Sequence, residues 1–318
     1  QTCALPIYWR YVGNLLRHDL PDVAIGEDIS CGNLFPIGNK WMLLCISHWL
    51  GCRYYIGEWD TQAEQFVPES HGRMNWRRDE QSIHDAVYRD FFAPESLLTP
   101  DGRRVMWAWC ATFNKQIETM SLQSLPRELT LAAANTLRIR PLRELESLRY
   151  DPVHLDNLEI SPQGGTIGGG STKKALTTLP GEAVELRVVI ARSEAERKRF
   201  GFQLFADEKQ NGLPIVFLPE TGRLRVGSAE SPFAVHQLPA GEDVELRIFV
   251  DRYLVEVFVN NRQAMMAVQM DCQGRTGFAG YSFGGSTKIR SIDICKLRPT
   301  NQGFLEAKKS RIWQPAIE

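Results

Sequence analysis

Val244-Glu245-Leu246-Arg247-Ile248-Phe249-Val250-Asp251-Arg252-Tyr253-Leu254-Val255-Glu256-Val257-Phe258-Val259-Asn260-Asn261 is the stretch that decides the fold. Val244, Leu246, Ile248 and Val250 recur with period two, which puts all four on one side of a strand. After Asp251-Arg252-Tyr253 the alternation resumes at Val255, Val257 and Val259, and it stops at the turn pair Asn260-Asn261. Val184, Leu186, Val188 and Ile190 repeat the pattern upstream, with Glu185 and Arg187 between them. Period two over this many segments predicts antiparallel sheet with one buried face, and so a β-sandwich over the second half.

Working back from there, the first half reads as many short strands. Lys40 to Ser47 is a near-continuous apolar run after the turn signal Gly38-Asn39, and Arg53 to Gly57 follows Gly51. Pro94 to Leu98 leads into Asp101-Gly102, a hairpin signal, and Arg104 to Trp109 returns from it. Strands this short with turns this frequent predict a propeller or a barrel. Between the halves, Leu142, Leu145 and Leu148 lie three apart behind Pro141, which predicts a short helix with proline at its first position. The glycine-rich run Gln163–Ser171 lacks the Gly-Lys-Ser/Thr of a phosphate-binding loop and reads as a surface loop.

The bulk properties exclude several classes. A chain of 318 residues that is 43% hydrophobic and 24% charged is globular and long enough for two domains. A net charge of −1 gives no electrostatic basis for nucleic acid or an anionic membrane surface. Cys3, Cys31, Cys45, Cys52, Cys110, Cys272 and Cys295 form no CxxC pair, so they read as reduced thiols and favour a cytoplasmic setting. His48, His71 and His84 are too dispersed for a metal site.

Four segments, in order, resemble glycoside hydrolase family 32, the invertases, levanases and fructanases. They are Gly51-Cys52-Arg53-Tyr54-Tyr55-Ile56-Gly57; Asp90-Phe91-Phe92-Ala93-Pro94-Glu95 with Gly102 to Trp109; Ser124-Leu125-Pro126-Arg127-Glu128-Leu129 with Pro141 to Arg149; and Leu246 to Phe258. The resemblance implies an all-β chain: a partial five-bladed β-propeller, last blades only, followed by a C-terminal β-sandwich. The expected division is a non-native leader at 1–7, of the kind a translated sequencing adapter leaves, then propeller at 8–125 and a connector with a short helix at 126–150. The sandwich is expected at 151–297 and a tail at 298–318. The parent protein could be secreted, since its own N-terminus is not expected here.

The resemblance also implies a chemistry. The family hydrolyses sucrose or fructans with retention and needs no cofactor. Retaining glycosidases use a nucleophilic carboxylate and a second carboxyl that acts as acid and then as base. The family's nucleophile lies in a Trp-Met-Asn-Asp-Pro-Asn-Gly motif and a second aspartate in an Arg-Asp-Pro motif. Neither occurs here, because Arg89-Asp90 is followed by Phe91. The chain is therefore expected to be inactive as it stands. The family's acid lies in Glu-Cys-Pro; here Cys31 aligns, but Ser30 stands where the glutamate is expected. Two candidates replace it. Asp28 is two residues before Ser30 and shares its face on a regular strand; Glu27 is three before and needs a bulge, but has the longer reach. Asp90, Phe92 and Trp109 match positions near the family's sugar pocket, where an aromatic face suits a sugar ring and a carboxylate its hydroxyls. The rival reading is a non-catalytic carbohydrate-binding or scaffold protein, which Ser30 favours.

Overall fold

The computed structural model describes residues 10–48, 50–76, 91–111, 121–161, 173–268 and 274–300. The expected leader, Asp90, His84 and the glycine-rich run at 163–171 lie outside them. The described chain is nearly all strand. The first sheet is a meander of β1 (Ser30–Ile37), β2 (Lys40–Ser47), β3 (Gly51–Asp60) and β4 (Gln65–Arg73), hydrogen-bonded in that order. Gly38, at φ +60, makes the two-residue turn between β1 and β2. The second sheet contains β5 (Phe92–Leu98), β6 (Arg104–Ala111), β7 (Ser121–Gln123), β8 (Arg127–Ala132) and β9 (Thr136–Pro141), in the order β5-β6-β8-β9 with β7 on β6. Gly102, at φ +82, closes the hairpin read from Asp101-Gly102.

The remaining strands build two six-stranded sheets. They are β10 (Arg149–Ile160), β11 (Lys174–Thr178), β12 (Ala183–Ile190), β13 (Phe200–Ala206), β14 (Leu213–Leu218), β15 (Arg223–Val226), β16 (Ala229–Pro232), β17 (Val244–Asp251), β18 (Leu254–Val259), β19 (Gln263–Val268), β20 (Gly277–Ser282) and β21 (Thr287–Leu297). One sheet runs β10-β21-β12-β17-β18-β19 and the other β11-β20-β13-β14-β15-β16. Their facing side chains form one apolar core: Val184, Leu186, Val188 and Ile190 of β12 meet Phe200, Phe202 and Phe217 across it.

Two expectations are corrected. The region 126–150 is not a connector throughout. Residues 127–141 form the last two strands of the second sheet, because Leu129, Leu137 and Ile139 alternate into its core around the turn at Ala133–Asn135. The helix is a 3-10 helix at Arg143–Leu148, and Pro141 ends β9 rather than starting it. The spacing of three that suggested a helix matches the three residues per turn of that geometry. The second correction concerns burial. The strand β18 is buried on both faces. Val255, Val257 and Val259 enter the sandwich core, while Leu254 and Phe258 enter a second core shared with the propeller sheets, beside Met106, Leu129 and Ile139.

The halves are joined by more than apolar contact. Arg127, fully buried on β8, donates Nη2 to Glu256 Oε2 on β18 at 2.7 Å. Glu256 Oε1 also accepts from Leu125 N at 2.5 Å, and the Arg127 guanidinium lies 4.2 Å from the Phe91 ring centre. Asn75 extends the edge of β19 by pairing its side chain with both backbone groups of Met266, at 2.9 and 3.4 Å. The motifs Leu125-Pro126-Arg127-Glu128 and Val255-Glu256-Val257-Phe258 thus meet at one interface.

Candidate active site

The starts of β1, β3 and β5 and the ends of β2, β4 and β6 lie at one end of the two propeller sheets. Both leading strands begin with the same device. In β1 the register shifts between Ser30 and Asn33, with Cys31 at φ +51; in β5 it shifts between Phe92 and Glu95, with Ala93 at φ +42. Non-glycine residues rarely adopt this conformation, and such bulges re-aim the chain beside functional sites. Asn33 ties the strands together, its Oδ1 accepting from Ser96 N at 2.9 Å and Ser96 Oγ at 3.1 Å.

Glu27 and Asp28 precede β1. The parity argument from Ser30 therefore has no strand beneath it, and the two carboxyls are separated by their partners instead. The Asp28 Oδ2 is 2.6 Å from His48 Nδ1, and its Oδ1 accepts from His48 N at 3.0 Å. Burial pushes the Asp28 pKa up, but the hydrogen bonds from the His48 ring and backbone and from Ser30 outweigh it and hold the carboxyl below its usual range. These bonds thus stabilise the ionised form of Asp28.

Glu27 is more deeply placed: its side chain is 7% exposed and is paired with Arg53 Nη1 on β3. Arg53 continues inward to outward, its Nη2 donating to His71 Nδ1 at 2.7 Å. An arginine can only donate, so His71 Nδ1 accepts and its Nε2–H is left to donate to Asp22 Oδ2, 2.9 Å away. This bond holds the Asp22 carboxyl below its usual range. The result is a four-member chain, Glu27–Arg53–His71–Asp22, running from a buried carboxylate to an exposed one.

Phe92 and Trp109 are cross-strand partners at the start of β5 and the end of β6. Their rings meet edge-on at 6.4 Å, and Phe92 meets His48 edge-on at 5.6 Å. Phe92 is buried, whereas Trp109 is 40% exposed. The structure therefore brings Asp28, His48, Phe92 and Trp109 into one continuous group, with Glu27 and Arg53 alongside. Sequence reasoning passed over Arg53, His71, His48 and Asp22. A signal existed for Arg53: a lone cation inside the strand Gly51-Cys52-Arg53-Tyr54-Tyr55 must find a buried anion.

The architecture is a partial β-propeller joined to a β-sandwich, a glycoside hydrolase fold, with a carboxyl and aromatic cluster at one end of the propeller sheets. Two family models match: the glycosyl hydrolases family 32 N-terminal domain over residues 7–141 and the family 32 C-terminal domain over residues 144–296. The chain belongs to glycosyl hydrolase family 32. It is 27% identical over 305 residues to a levanase of Bacillus subtilis, covering 84% of this chain and 42% of that protein. It is 32% identical over 195 residues to a raffinose invertase of Escherichia coli, covering 56% of this chain and 36% of that one. Among solved structures, the exo-inulinase of Aspergillus awamori superposes with a TM-score of 0.66 at 18% identity, over 87% of this chain and 58% of that chain. The chain spans about half the length, or less, of the curated relatives it matches.

Proposed function

We propose that this chain carries the acid–base half of a retaining β-fructofuranosidase, acting on sucrose or fructans, with Glu27 as acid and base. The observation that carries the choice is the contrast between two neighbouring carboxyls: Asp28 is 35% exposed and held by His48, while Glu27, with the longer side chain, is 7% exposed and so sits in the partly desolvated setting a proton donor needs. In the first half of a double displacement, Glu27 gives its proton to the leaving-group oxygen as the C–O bond breaks and a nucleophilic carboxylate takes the anomeric carbon. Arg53 then stabilises the carboxylate that remains. In the second half Glu27 takes a proton from water, which attacks the anomeric carbon and releases the nucleophile. Trp109 offers its exposed face to the sugar, Phe92 buttresses it, and Asp90 binds hydroxyls.

This chain lacks the Asn-Asp-Pro and Arg-Asp-Pro motifs that hold the family's other two carboxylates. Acid help alone contributes about 10²–10⁴-fold, a small part of glycosidase rate enhancement. The 318 residues alone are therefore expected to release no fructose from sucrose, inulin or levan, while the same chain preceded by motif-bearing blades is active. In that extended protein Glu27→Gln abolishes turnover of sucrose but spares activated aryl fructosides, which need little protonation. Loss on both substrates, or the leaving-group dependence appearing with Asp28→Asn instead, overturns the assignment. Ser30, at the position of the family's acid, favours a second reading, a non-catalytic carbohydrate-binding protein. An extended protein that binds fructans and hydrolyses none establishes that reading.

A further inference from the structure

A cavity of about 660 Å³ lies between the second propeller sheet and the sandwich, away from the carboxyl cluster. Its walls include Arg138 of β9 on one side, and Arg262 of the β18–β19 turn, His236 and Phe233 on the other. Arg138 stands apart from the other arginines at this interface. Arg127 has Glu256, and Arg140 has Glu128. The Arg138 side chain has no hydrogen-bond or ion-pair partner among the described residues. Arg262 spends one nitrogen on Glu242, at 2.9 Å, and its Nε, like that of Arg127, is buried and unpartnered. The acidic side chain on the cavity wall, Glu220, is already paired with Arg199.

This arrangement is costly without a ligand. Burial pushes the Arg138 guanidinium pKa down, the charge of Arg262 pushes it the same way, and Glu242 only partly offsets them. Two cations facing one cleft, with free N–H groups, are best relieved by a compact anion that accepts several hydrogen bonds. Phosphate has that geometry, and the apolar walls Pro219, Pro232 and Phe233 leave room for a small body attached to it.

We propose that this cleft is a second ligand site, built for the phosphate group of a small phosphorylated compound and bridging the two domains. Arg138 belongs to the propeller half and Arg262 to the sandwich, so an occupant fastens one to the other. Neither residue is in the carboxyl cluster, so the site stands or falls independently of the assignment of Glu27.

The test uses the full chain at fixed ionic strength, titrated with inorganic phosphate, a hexose 6-phosphate and the free hexose. Both phosphates are expected to raise Tm saturably, and the hexose and added chloride are not. Tighter binding of the hexose phosphate than of inorganic phosphate assigns the attached sugar to the apolar walls; equal binding assigns the site to the free anion. Arg138→Met weakens phosphate about tenfold or more, the loss of a hydrogen bond to a charged group. It leaves the ligand-free Tm unchanged or higher, because an unpaired cation has gone. If that variant folds poorly, Arg138→Lys and broadening of the phosphate ³¹P signal by the unsubstituted chain give the same answer. No saturable binding at millimolar phosphate, or unchanged affinity in both variants, overturns the proposal.

Discussion

Two glutamate–arginine pairs among the described residues are buried on both sides, and they are built differently. In each, the arginine is 0–3% exposed and the glutamate 1–7%. Glu256–Arg127 is closed on every side: Leu125 N and Arg127 take both carboxylate oxygens, and the guanidinium lies against Phe91 and Phe258. Glu27–Arg53 is open at one end, leading through His71, 16% exposed, to Asp22, 69% exposed. A closed pair can only hold. A pair whose chain of partners ends at the surface can be approached from solvent, which the proposed role of Glu27 requires.

The largest expected effect falls on the closed pair. Glu256→Ala leaves Arg127 buried and unpaired, and such losses cost about 3–5 kcal/mol. Urea unfolding of the variant is expected to show this loss. Glu256→Leu with Arg127→Met recovers most of it, since an apolar replacement of matched size is often neutral. A second effect, smaller in stability, falls on the open pair. Glu27→Ala leaves Arg53 with His71 still in place and is expected to cost about 1–3 kcal/mol. Equal losses from Glu27→Ala and Glu256→Ala would erase the distinction between holding and reacting pairs.

Glu128 sharpens the comparison from a third side. It is 1% exposed and gathers Arg103, Arg140 and Arg143, binding β8 to β9 and to the 3-10 helix. Burial raises its pKa, but hydrogen bonds from Arg143, Arg140 and Arg103 bring it down from 4.5 to about 2. A carboxyl depressed on folding gives stability that is complete above 4.5 and disappears as pH falls toward about 2. Glu128→Gln is expected to flatten the fall in Tm across that window. An unchanged slope would assign acid sensitivity to other carboxylates. The smallest effect concerns residues 1–7: their removal is expected to change unfolding free energy by no more than about 0.5 kcal/mol, the scale of surface changes. A loss of several times that on melting would mean the segment is structural.

Much of this was legible in the sequence, and the reasons differ by region. The sandwich announced itself because β12 and β17 alternate one apolar face against charged residues such as Glu185 and Arg247, which pair with each other at 2.7 Å. The turns at Gly38 and Gly102 were readable because positive φ selects glycine. The strands β8 and β9 were mistaken for a connector because Pro126 and Pro141 bound them and a 3-10 helix follows. At the candidate site, Phe92 and Trp109 were named through motif position. The relay behind Glu27 was not, since Asp22, His71 and Arg53 converge from three separate segments and share no local pattern. Strand parity failed at Glu27 and Asp28 because the chain is not yet a strand there.

The double burial of β18 has a consequence for how this protein can diverge. Most strands have one face that selection can vary freely while the other is kept for packing. Along Leu254–Val259 every position is spoken for: odd-numbered residues answer to the sandwich, even-numbered ones to the propeller sheets. A tolerated change at Phe258 has to be matched in Phe91 or Leu129, and one at Val257 in the facing sheet of the sandwich, with no position left to drift alone. Such a strand changes slowly and only in concert. The segment that fastens the two domains is therefore expected to be among the slowest in the chain to change.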